Sequence, residues 1–356
     1  MTNFNLKLQN IAENHQGTAA RLLNKLPKLV QLSLAKTLGY PYDYPELDPF
    51  IKCLMAVQLK QGKIGFIGSD VEKSRQHFEK NMKSIVGKPT AIKRIENLKL
   101  NLESGLIHAR HYHPAPNKKL PLIVFYHGGG FVVGSVNTHD EACRLLAIHA
   151  NAQVLSIDYP LAPEVSPNTL IQTCEEALAW AYKNKKDLKI YKNRIAVAGD
   201  SAGGNIATVV SQKTVGKSYA PSAQLLIYPT VDFQSRYPSF NAYKDGLVLT
   251  GTDINNVTEF YASQHSISLD DPLISPIFGN LKKLPPSFIL TAGHDLLHDE
   301  AEIYAEKLKQ EGNKVSYLEY KDQTHGFINF TTISKTSKRI TIEVARNFRK
   351  FWDKHA

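Results

Sequence analysis

Apolar residues follow two different periods along the chain, one in the first ninety residues and another beyond them. In residues 21–38, leucine and valine recur at spacings of three and four, with Lys25, Lys28 and Lys36 between them. This spacing predicts an amphipathic helix that is interrupted or started near Pro27, whose ring removes a backbone donor. We expect its apolar face to pack on the protein itself, with contact to a membrane surface as the minority interpretation.

From about residue 92, short apolar runs alternate with helix-like segments. Two runs on either side of Ser104 and Gly105 predict a strand pair. Six further runs predict buried strands at 122–127, 153–159, 194–200, 223–229, 287–293 and 315–320. Helices are predicted near 138–150, 168–184, 202–213, 299–312 and 336–354. Buried strands separated by helices indicate an α/β fold, with a mostly parallel sheet covered on both faces.

Residues 230–286 break this alternation. They contain one helix-like piece at 253–264 and the turn-rich stretch DDPLISPIF at 270–278. Connections within a compact domain are usually much shorter than this stretch. We therefore expect an insertion that lies over one end of the sheet.

Composition narrows the class of protein. Of the 356 residues, 42% are apolar and 21% are charged, so the chain can bury a sizeable core. There is neither an apolar run of membrane-spanning length nor a secretory signal pattern at the start. The three cysteines are odd in number and far apart, which argues against a disulfide framework and fits a reducing compartment. We expect a cytoplasmic protein.

The net charge of +10 lies entirely in the first third of the chain. Residues 1–120 carry nineteen Lys and Arg against nine Asp and Glu, whereas residues 121–356 carry twenty-four of each. A basic segment favours anionic partners, but it is more often a solvated surface. No nucleic-acid-binding motif accompanies the charge, so we expect no nucleic-acid partner.

The first candidate for chemistry is the pentapeptide Gly199-Asp200-Ser201-Ala202-Gly203. It has the form G-x-S-x-G, follows a predicted strand directly and opens a predicted helix. A serine on such a strained strand-to-helix turn is exposed at the top of the sheet, next to the positive end of the helix dipole. Ser201 is therefore the predicted nucleophile, and a glycine-rich turn that only packs is the alternative.

The second candidate is the run YHGGGF at 126–131, immediately after another predicted strand. Consecutive glycines let backbone N–H groups approach the oxygen that becomes negative during acyl transfer. A phosphate loop would also use glycines, but neither the P-loop nor the dinucleotide-binding spacing is present. We expect the amides of Gly129, Gly130 and Ala202 to form an oxyanion hole.

With these motifs in place, the sequence resembles the hormone-sensitive-lipase-like (family IV) esterases of the α/β-hydrolase superfamily. The matching pieces occur in the family's order: HGGGF (127–131), DYPLAPE (158–164), GDSAGG (199–204), DPLISP (271–276), AGHDLLHDE (292–300) and HGF (325–327). The resemblance implies an α/β-hydrolase fold with residues 1–90 as a cap segment. It also implies a catalytic domain over 91–356, with a further cap insertion at about 230–286.

Three positions depart from the family pattern. Pro160 stands where arginine is usual, Leu296 where proline is common and His298 where arginine is common. The N-terminal segment is also longer than is usual in the family. These departures affect the expected cap contacts and remove no catalytic group.

The resemblance places the partners of the serine in the order acid, then base. His325 follows the predicted strand at 315–320 within a loop and is the expected general base. Asp295 follows the strand at 287–293 at the same end of the sheet and is the expected orienting acid. The rival carboxylates are Asp299, Glu300 and Asp322.

We expect four further motif residues, His127, Gly128, Phe131 and Asp200, to contact the substrate. His294 and His298 have the spacing of two metal ligands on a helix, but no glutamate accompanies them as in H-E-x-x-H. We therefore expect no metal and no cofactor. His111 and His113 alternate along a predicted strand and are expected to face solvent.

Together these features predict a serine carboxylesterase that hydrolyses short- to medium-chain acyl esters of small molecules through an acyl-enzyme. The alternatives are a non-catalytic small-molecule receptor of the same fold, which would be expected to lack the histidine, or an interfacial lipase, an amidase or an acyltransferase. The sequence leaves a homodimer open.

Overall fold

The computed structural model describes residues 17–62, 65–190 and 194–355 of the chain. The strands are β1 (Arg94–Leu102), β2 (Gly105–His113), β3 (Leu122–Tyr126), β4 (Gln153–Asp158), β5 (Ile195–Asp200), β6 (Gln224–Ile227), β7 (Ser287–His294) and β8 (Val315–Thr324). They form one eight-stranded sheet in the order β1-β2-β4-β3-β5-β6-β7-β8. The β1–β2 and β2–β4 pairs are antiparallel, and the other pairs are parallel. The predicted α/β fold is confirmed.

Helices lie between the strands, as the sequence pattern predicted. They are α1 (Lys28–Thr37), α2 (Pro49–Lys60), α3 (Val71–Ile85), α4 (Asp140–His149), α5 (Pro167–Lys183), α6 (Ala202–Lys213), α7 (Pro238–Tyr243), α8 (Gly251–Tyr261), α9 (His298–Gln310) and α10 (Lys335–His355). Shorter 3₁₀ turns cover Ser263–His265, Pro276–Phe278 and Phe327–Phe330. Within the described residues, none of these helices combines the length and the apolar character that crossing a bilayer requires.

The central strands are buried on both faces because alternate side chains enter two separate cores. In β3, Leu122 and Val124 pack with α5, α6 and α9, whereas Ile123 and Phe125 pack with α4 and α10. A strand with both faces covered reads as a continuous apolar run, which is why β3 was predictable from sequence. Because β3 to β8 are parallel, their carboxyl ends lie at one edge of the sheet.

The N-terminal helix contacts the protein with a different face from the one predicted. Gln31 and Ala35 are the buried residues of α1. The Gln31 amide donates to the carbonyls of Leu23 and Leu26, on the N-terminal side of the break at Pro27. The large apolar side chains of this region are exposed: Leu22, Leu26, Leu29, Val30, Leu32 and Leu34. The expectation that this apolar face packs on the protein is therefore wrong.

The two segments predicted to form a cap contact each other directly. The Asp253 carboxylate at the start of α8 accepts hydrogen bonds from the backbone amides of Phe66 and Ile67, at 2.8 and 2.7 Å. Asn256 donates to the carbonyl of Ile67 at 2.7 Å. Farther along, the Tyr40 hydroxyl donates to the carbonyl of Gly246. The N-terminal segment and the 230–286 insertion thus form one layer.

His111 and His113 are buried, which corrects the expectation that they face solvent. His111 lies 2.8 Å from the side chain of Gln153 on β4. Burial lowers the pKa of His113 to about 4, so this ring is neutral at physiological pH. These rings belong to the core between the β1–β2 hairpin and the neighbouring strand.

Candidate active site

Ser201 lies where β5 ends and α6 begins, in a backbone conformation that a serine rarely adopts. Its φ and ψ are 56° and −120°. A Cβ added to Gly199 would lie 2.2 Å from the backbone of Gly203, and one added to Gly203 would lie 1.9 Å from the carbonyl oxygen of Tyr126. A side chain at either position would clash, so the turn requires both glycines. The turn holds Ser201, with its strained backbone, at the carboxyl edge of the sheet.

The structure brings Ser201, His325 and Asp295 together from three separate loops. His325 Nε2 lies 2.9 Å from Ser201 Oγ, and His325 Nδ1 lies 2.7 Å from Asp295 Oδ2. The other carboxylate oxygen of Asp295 accepts from the amide of Leu297 at 3.0 Å. Because a carboxylate only accepts, Nδ1 carries the proton and Nε2 is free to accept from the serine hydroxyl.

The rival carboxylates are engaged elsewhere. Asp299 accepts from the amide of Ser239, Glu300 from the amide of Val231, and Asp322 from the side chain of Gln323. None of these contacts involves the ring of His325. Which carboxylate contacts His325 is therefore decided by the loop that faces the histidine, and not by closeness along the chain.

The triple-glycine loop has the backbone conformation that only glycine adopts readily. Gly129 has a φ of 127°, and a Cβ there would lie 2.1 Å from the carbonyl oxygen of Val133. Among the residues that the structure describes, no group accepts a hydrogen bond from the amides of Gly129, Gly130 or Ala202. These three amides are available to an oxygen held near Ser201.

Three of the predicted substrate contacts lie behind this loop instead of on the cavity wall. Asp200 is buried, and its Oδ1 accepts from the amide of Gly128 at 2.9 Å. The ring of His127 is also buried and stacks on Tyr159, with 4.3 Å between the ring centroids. This corrects the expectation that His127, Gly128 and Asp200 contact the substrate.

Sequence reasoning missed a fourth residue of this buried group. His139 Nε2 lies 3.3 Å from the Asp200 carboxylate, and its ring stacks on that of His127. No sequence pattern singled it out, because its place depends on how residues 128–139 fold back on themselves. Its closeness in sequence to the triple-glycine run was the available signal.

A narrow cavity opens from Ser201 towards the cap layer. Its walls are mainly aromatic and aliphatic: Phe66, Gly130, Phe131, Ala202, Phe233, Phe240, Leu249, Ile254, Val257 and Leu297. Phe131 lies on this wall, with its ring centroid 3.8 Å from that of Tyr261. Thr230, Asp232, Arg236 and Glu300 supply the polar part of the lining. The shape suits an apolar group attached to a carbonyl carbon.

Comparison with known proteins identifies the family. The family described as alpha/beta hydrolase fold matches residues 123–329. The chain is an α/β-hydrolase of the hormone-sensitive-lipase-like branch. This α/β-hydrolase is 35% identical over 311 residues to the carboxylic ester hydrolase LipN of Mycobacterium tuberculosis, which covers 85% of this chain and 82% of that protein.

Two further similar proteins cover most of the α/β-hydrolase. The ethyl acetate hydrolase of Pseudomonas putida is 30% identical over 296 residues, 81% of this chain and 93% of that one. The structure of the ester hydrolase EH1AB1 from the metagenome of Lake Arreo has a TM-score of 0.80 and 31% identity, covering 87% of this chain and 99% of that one. The protein is a carboxylic-ester hydrolase, and the receptor alternative loses its support.

The α/β-hydrolase accommodates its departures from the family pattern with local contacts. Near Pro160, the guanidinium of Arg75 on α3 donates to the carbonyls of Val132 and Ala162 and to the Glu164 carboxylate. Leu296 is buried in a small apolar cluster that includes Leu249 of the insertion. Arg75 thus ties the N-terminal segment to the catalytic domain next to the triple-glycine loop.

The histidines considered as metal ligands have other partners. His294 Nδ1 lies 2.9 Å from the carbonyl of Lys321, and His298 Nδ1 lies 3.0 Å from Asp299. Among the described residues, the group that could hold a metal ion is His298, Asp299 and Glu302, all partly exposed. This group lies outside the Ser201 cavity lining, and the proposed chemistry does not use it.

Glu300 is the polar residue of the cavity whose ionisation is most altered. Burial raises its pKa to about 8, although the amide of Val231 donates to it at 2.7 Å. A carboxyl group with this pKa is largely protonated at neutral pH. The inner wall of the cavity is therefore close to neutral.

Proposed function

We propose that this carboxylic-ester hydrolase cleaves short- to medium-chain acyl esters by acyl transfer to Ser201. The observation that carries the proposal is the continuous hydrogen-bonded line from Ser201 through His325 to Asp295, at 2.9 and 2.7 Å. Such a line lets a neutral hydroxyl become a nucleophile at the moment of attack, because the imidazole takes its proton.

In the first step, Ser201 Oγ bonds to the ester carbonyl carbon while His325 Nε2 takes the hydroxyl proton. The carbonyl oxygen becomes an oxyanion that accepts from the amides of Gly129, Gly130 and Ala202. Loss of one donor of this kind costs about 2.7–4 kcal/mol of transition-state stabilisation. The carbon–oxygen bond of the ester then breaks, and the alcohol leaves with the proton from His325.

In the second step, water replaces the alcohol. His325 takes a proton from water as the oxygen attacks the acyl carbon, and the same amides hold the second oxyanion. Collapse breaks the bond to Ser201 Oγ, which regains its proton from the imidazolium, and the carboxylic acid leaves. Asp295 stabilises the imidazolium in both steps through Nδ1–H and stays ionised.

The cavity supports a substrate of limited size with an apolar acyl group. Phe66, Phe233 and Phe240 come from the two segments that we infer to form the cap, so the cap sets the length of the chain that fits. The similar ethyl acetate hydrolase acts, by its name, on a short ester.

Replacement of the nucleophile tests the proposal. We expect Ser201→Ala to lower kcat for p-nitrophenyl butyrate by at least about a thousandfold, since loss of a triad nucleophile has effects of this size or larger. Ser211→Ala is the matched control, because Ser211 is a buried serine of the same helix whose hydroxyl donates to the carbonyl of Ala207. Retention of more than a few percent of the wild-type rate in Ser201→Ala would contradict the proposal.

A second candidate is a lipase that acts at lipid–water interfaces. It is favoured by the exposed leucines of residues 22–34 and the lysines between them, a combination typical of surfaces that bind membranes. This candidate uses the same acyl-transfer chemistry. It differs in that its substrate lies at a lipid–water interface.

A further inference from the structure

Hydrogen bonds on both sides hold the ring of His139. Thr138 Oγ1 lies 2.8 Å from His139 Nδ1. On the other side, Nε2 lies 3.3 Å from the Asp200 carboxylate. Because a carboxylate only accepts, Nε2 carries a proton and donates it to Asp200.

The surroundings of Asp200 favour its ionised form. Burial alone would raise the pKa of Asp200, but His139 and the amide of Gly128 lower it below its ordinary value. The phenol of Tyr228 also faces this carboxylate, and burial raises the pKa of that phenol well above 10.

The Asn329 side chain lies beside the same ring. Its Nδ2 is 3.4 Å from His139 Nε2, so Asn329 and Asp200 both approach this nitrogen.

The contact between His139 and Asp200 leads directly to the triple-glycine loop. The carboxylate that faces His139 also accepts from the Gly128 amide at 2.9 Å, one residue before Gly129. A Cβ on Gly128 would lie 2.4 Å from Asp200 Oδ2, so the loop is pressed against this carboxylate. Asp200 is also the residue before Ser201. The position of Asp200 therefore determines where both Ser201 and the start of the triple-glycine loop lie.

We propose that His139 is a positioning residue that holds Asp200 and thereby fixes the triple-glycine loop for binding the oxyanion. The inference rests on the proposed function, since the loop matters only if its amides hold the oxyanion. An uncompensated Asp200 charge would draw water or shift its side chain, and the Gly128 amide would move with it.

Kinetics of a matched pair of variants test the role. We expect His139→Ala to lower kcat for p-nitrophenyl butyrate ten- to a hundredfold with KM changed less than about threefold, because the loop acts on the transition state and not on substrate binding. His139→Gln keeps an N–H donor and should recover part of kcat. His111→Gln, a buried histidine held by Gln153 outside the site, should leave kcat within about twofold.

A second readout is the rate at which a p-nitrophenyl phosphonate inactivates the enzyme, since its phosphoryl oxygen occupies the oxyanion position. This rate should fall in parallel with kcat in His139→Ala. A folded His139→Ala with wild-type kcat and wild-type inactivation rate would overturn the inference. If Ser201→Ala is inactive in the same assay, the proposed function survives that result; if Ser201→Ala is active, the proposed function itself fails.

The wild-type protein supplies a test that does not depend on variant folding. In ¹⁵N-histidine spectra at pH 7, assigned by comparison with His139→Gln, Nε2 of His139 should show the shift of a protonated nitrogen. A deprotonated Nε2 would overturn the inferred hydrogen bond to Asp200.

Discussion

At the scale of single residues, the candidate site combines side chains with opposite demands on burial. Ser201 and His325 need a path for substrate and water, whereas Asp200 and His139 need enclosure to interact strongly. The edge of the sheet meets both demands, because Ser201 faces the cavity whereas the neighbouring Asp200 is buried. The strained φ of 56° at Ser201 is the local consequence.

Glu300 gives a prediction about pH and stability. Its carboxyl pKa is about 8 in the folded protein against 4.5 when unperturbed, so folding disfavours the charged form. Below pH 4.5 both states are protonated and there is no penalty. As the pH rises from 4.5 to 8, the unfolded state ionises first, and the folded state loses up to about 1.4 kcal/mol of stability for each pH unit.

We therefore expect Glu300→Gln to gain stability relative to wild type as the pH rises from 5 to 8, measured by urea unfolding at each pH. Glutamine keeps an oxygen for the Val231 amide and cannot ionise. Glu306→Gln, an exposed position of the same helix, is the control and should show no such trend. A difference between Glu300→Gln and wild type that is the same at pH 5 and pH 8 would refute the prediction.

The sequence predicted individual residues where a local motif determined their position. Ser201 could be placed because a strand, a tight turn and a helix follow one another within twenty residues. His139 and the environment of Glu300 could not be placed, since each depends on a distant segment folding against it. Asp200 shows the limit most clearly: its motif was recognised, but the direction of its side chain was not.

At the scale of elements, the cap layer depends on one buried carboxylate. Asp253 accepts from the amides of Phe66 and Ile67 through one oxygen, and from the amide and hydroxyl of Thr250 through the other. The first two bonds join the N-terminal segment to the insertion, and the other two cap α8. Phe66 lies on the cavity wall, so this junction also shapes the site.

We expect Asp253→Ala to raise KM for p-nitrophenyl butyrate several-fold with a smaller change in kcat, because Phe66 moves and the triad does not. Stability should fall by on the order of 3 kcal/mol, since several buried amides lose a charged acceptor. Asp245→Ala, an exposed position in the same insertion, is the control. A variant that loses kcat with unchanged KM would show that the junction acts on the triad and would refute this account.

The elements themselves were largely predictable, and α1 shows why one aspect was not. Periodicity located this helix and its break at Pro27. It assigned the contact face to the leucines, as is usual for amphipathic helices. The contact instead uses Gln31, whose amide satisfies two carbonyls at the break, and Ala35. Side-chain hydrogen bonding to a helix end outweighed apolar burial here.

At the scale of the whole molecule, charge and apolar exposure coincide in the N-terminal segment. Residues 17–42 contain four Lys and Arg and no Asp or Glu, and six of their large apolar side chains are exposed. Residues 121–356 have no net charge. The N-terminal segment is therefore the part of the described chain to change when the interfacial candidate is tested.

The dependence of rate on acyl length and on substrate aggregation separates the two candidate functions. Because the cavity is short and closed by the cap, we expect kcat/KM for p-nitrophenyl esters to peak between about four and eight acyl carbons. We also expect no jump in the rate on tributyrin as its concentration crosses the solubility limit.

An interfacial lipase would show such a jump, and Leu29→Asp would abolish it if the exposed leucines were the contact. Leu106→Asp, at an exposed position in the β1–β2 hairpin, is the matched control. A jump that Leu29→Asp removes and Leu106→Asp retains would favour the lipase over the proposed esterase.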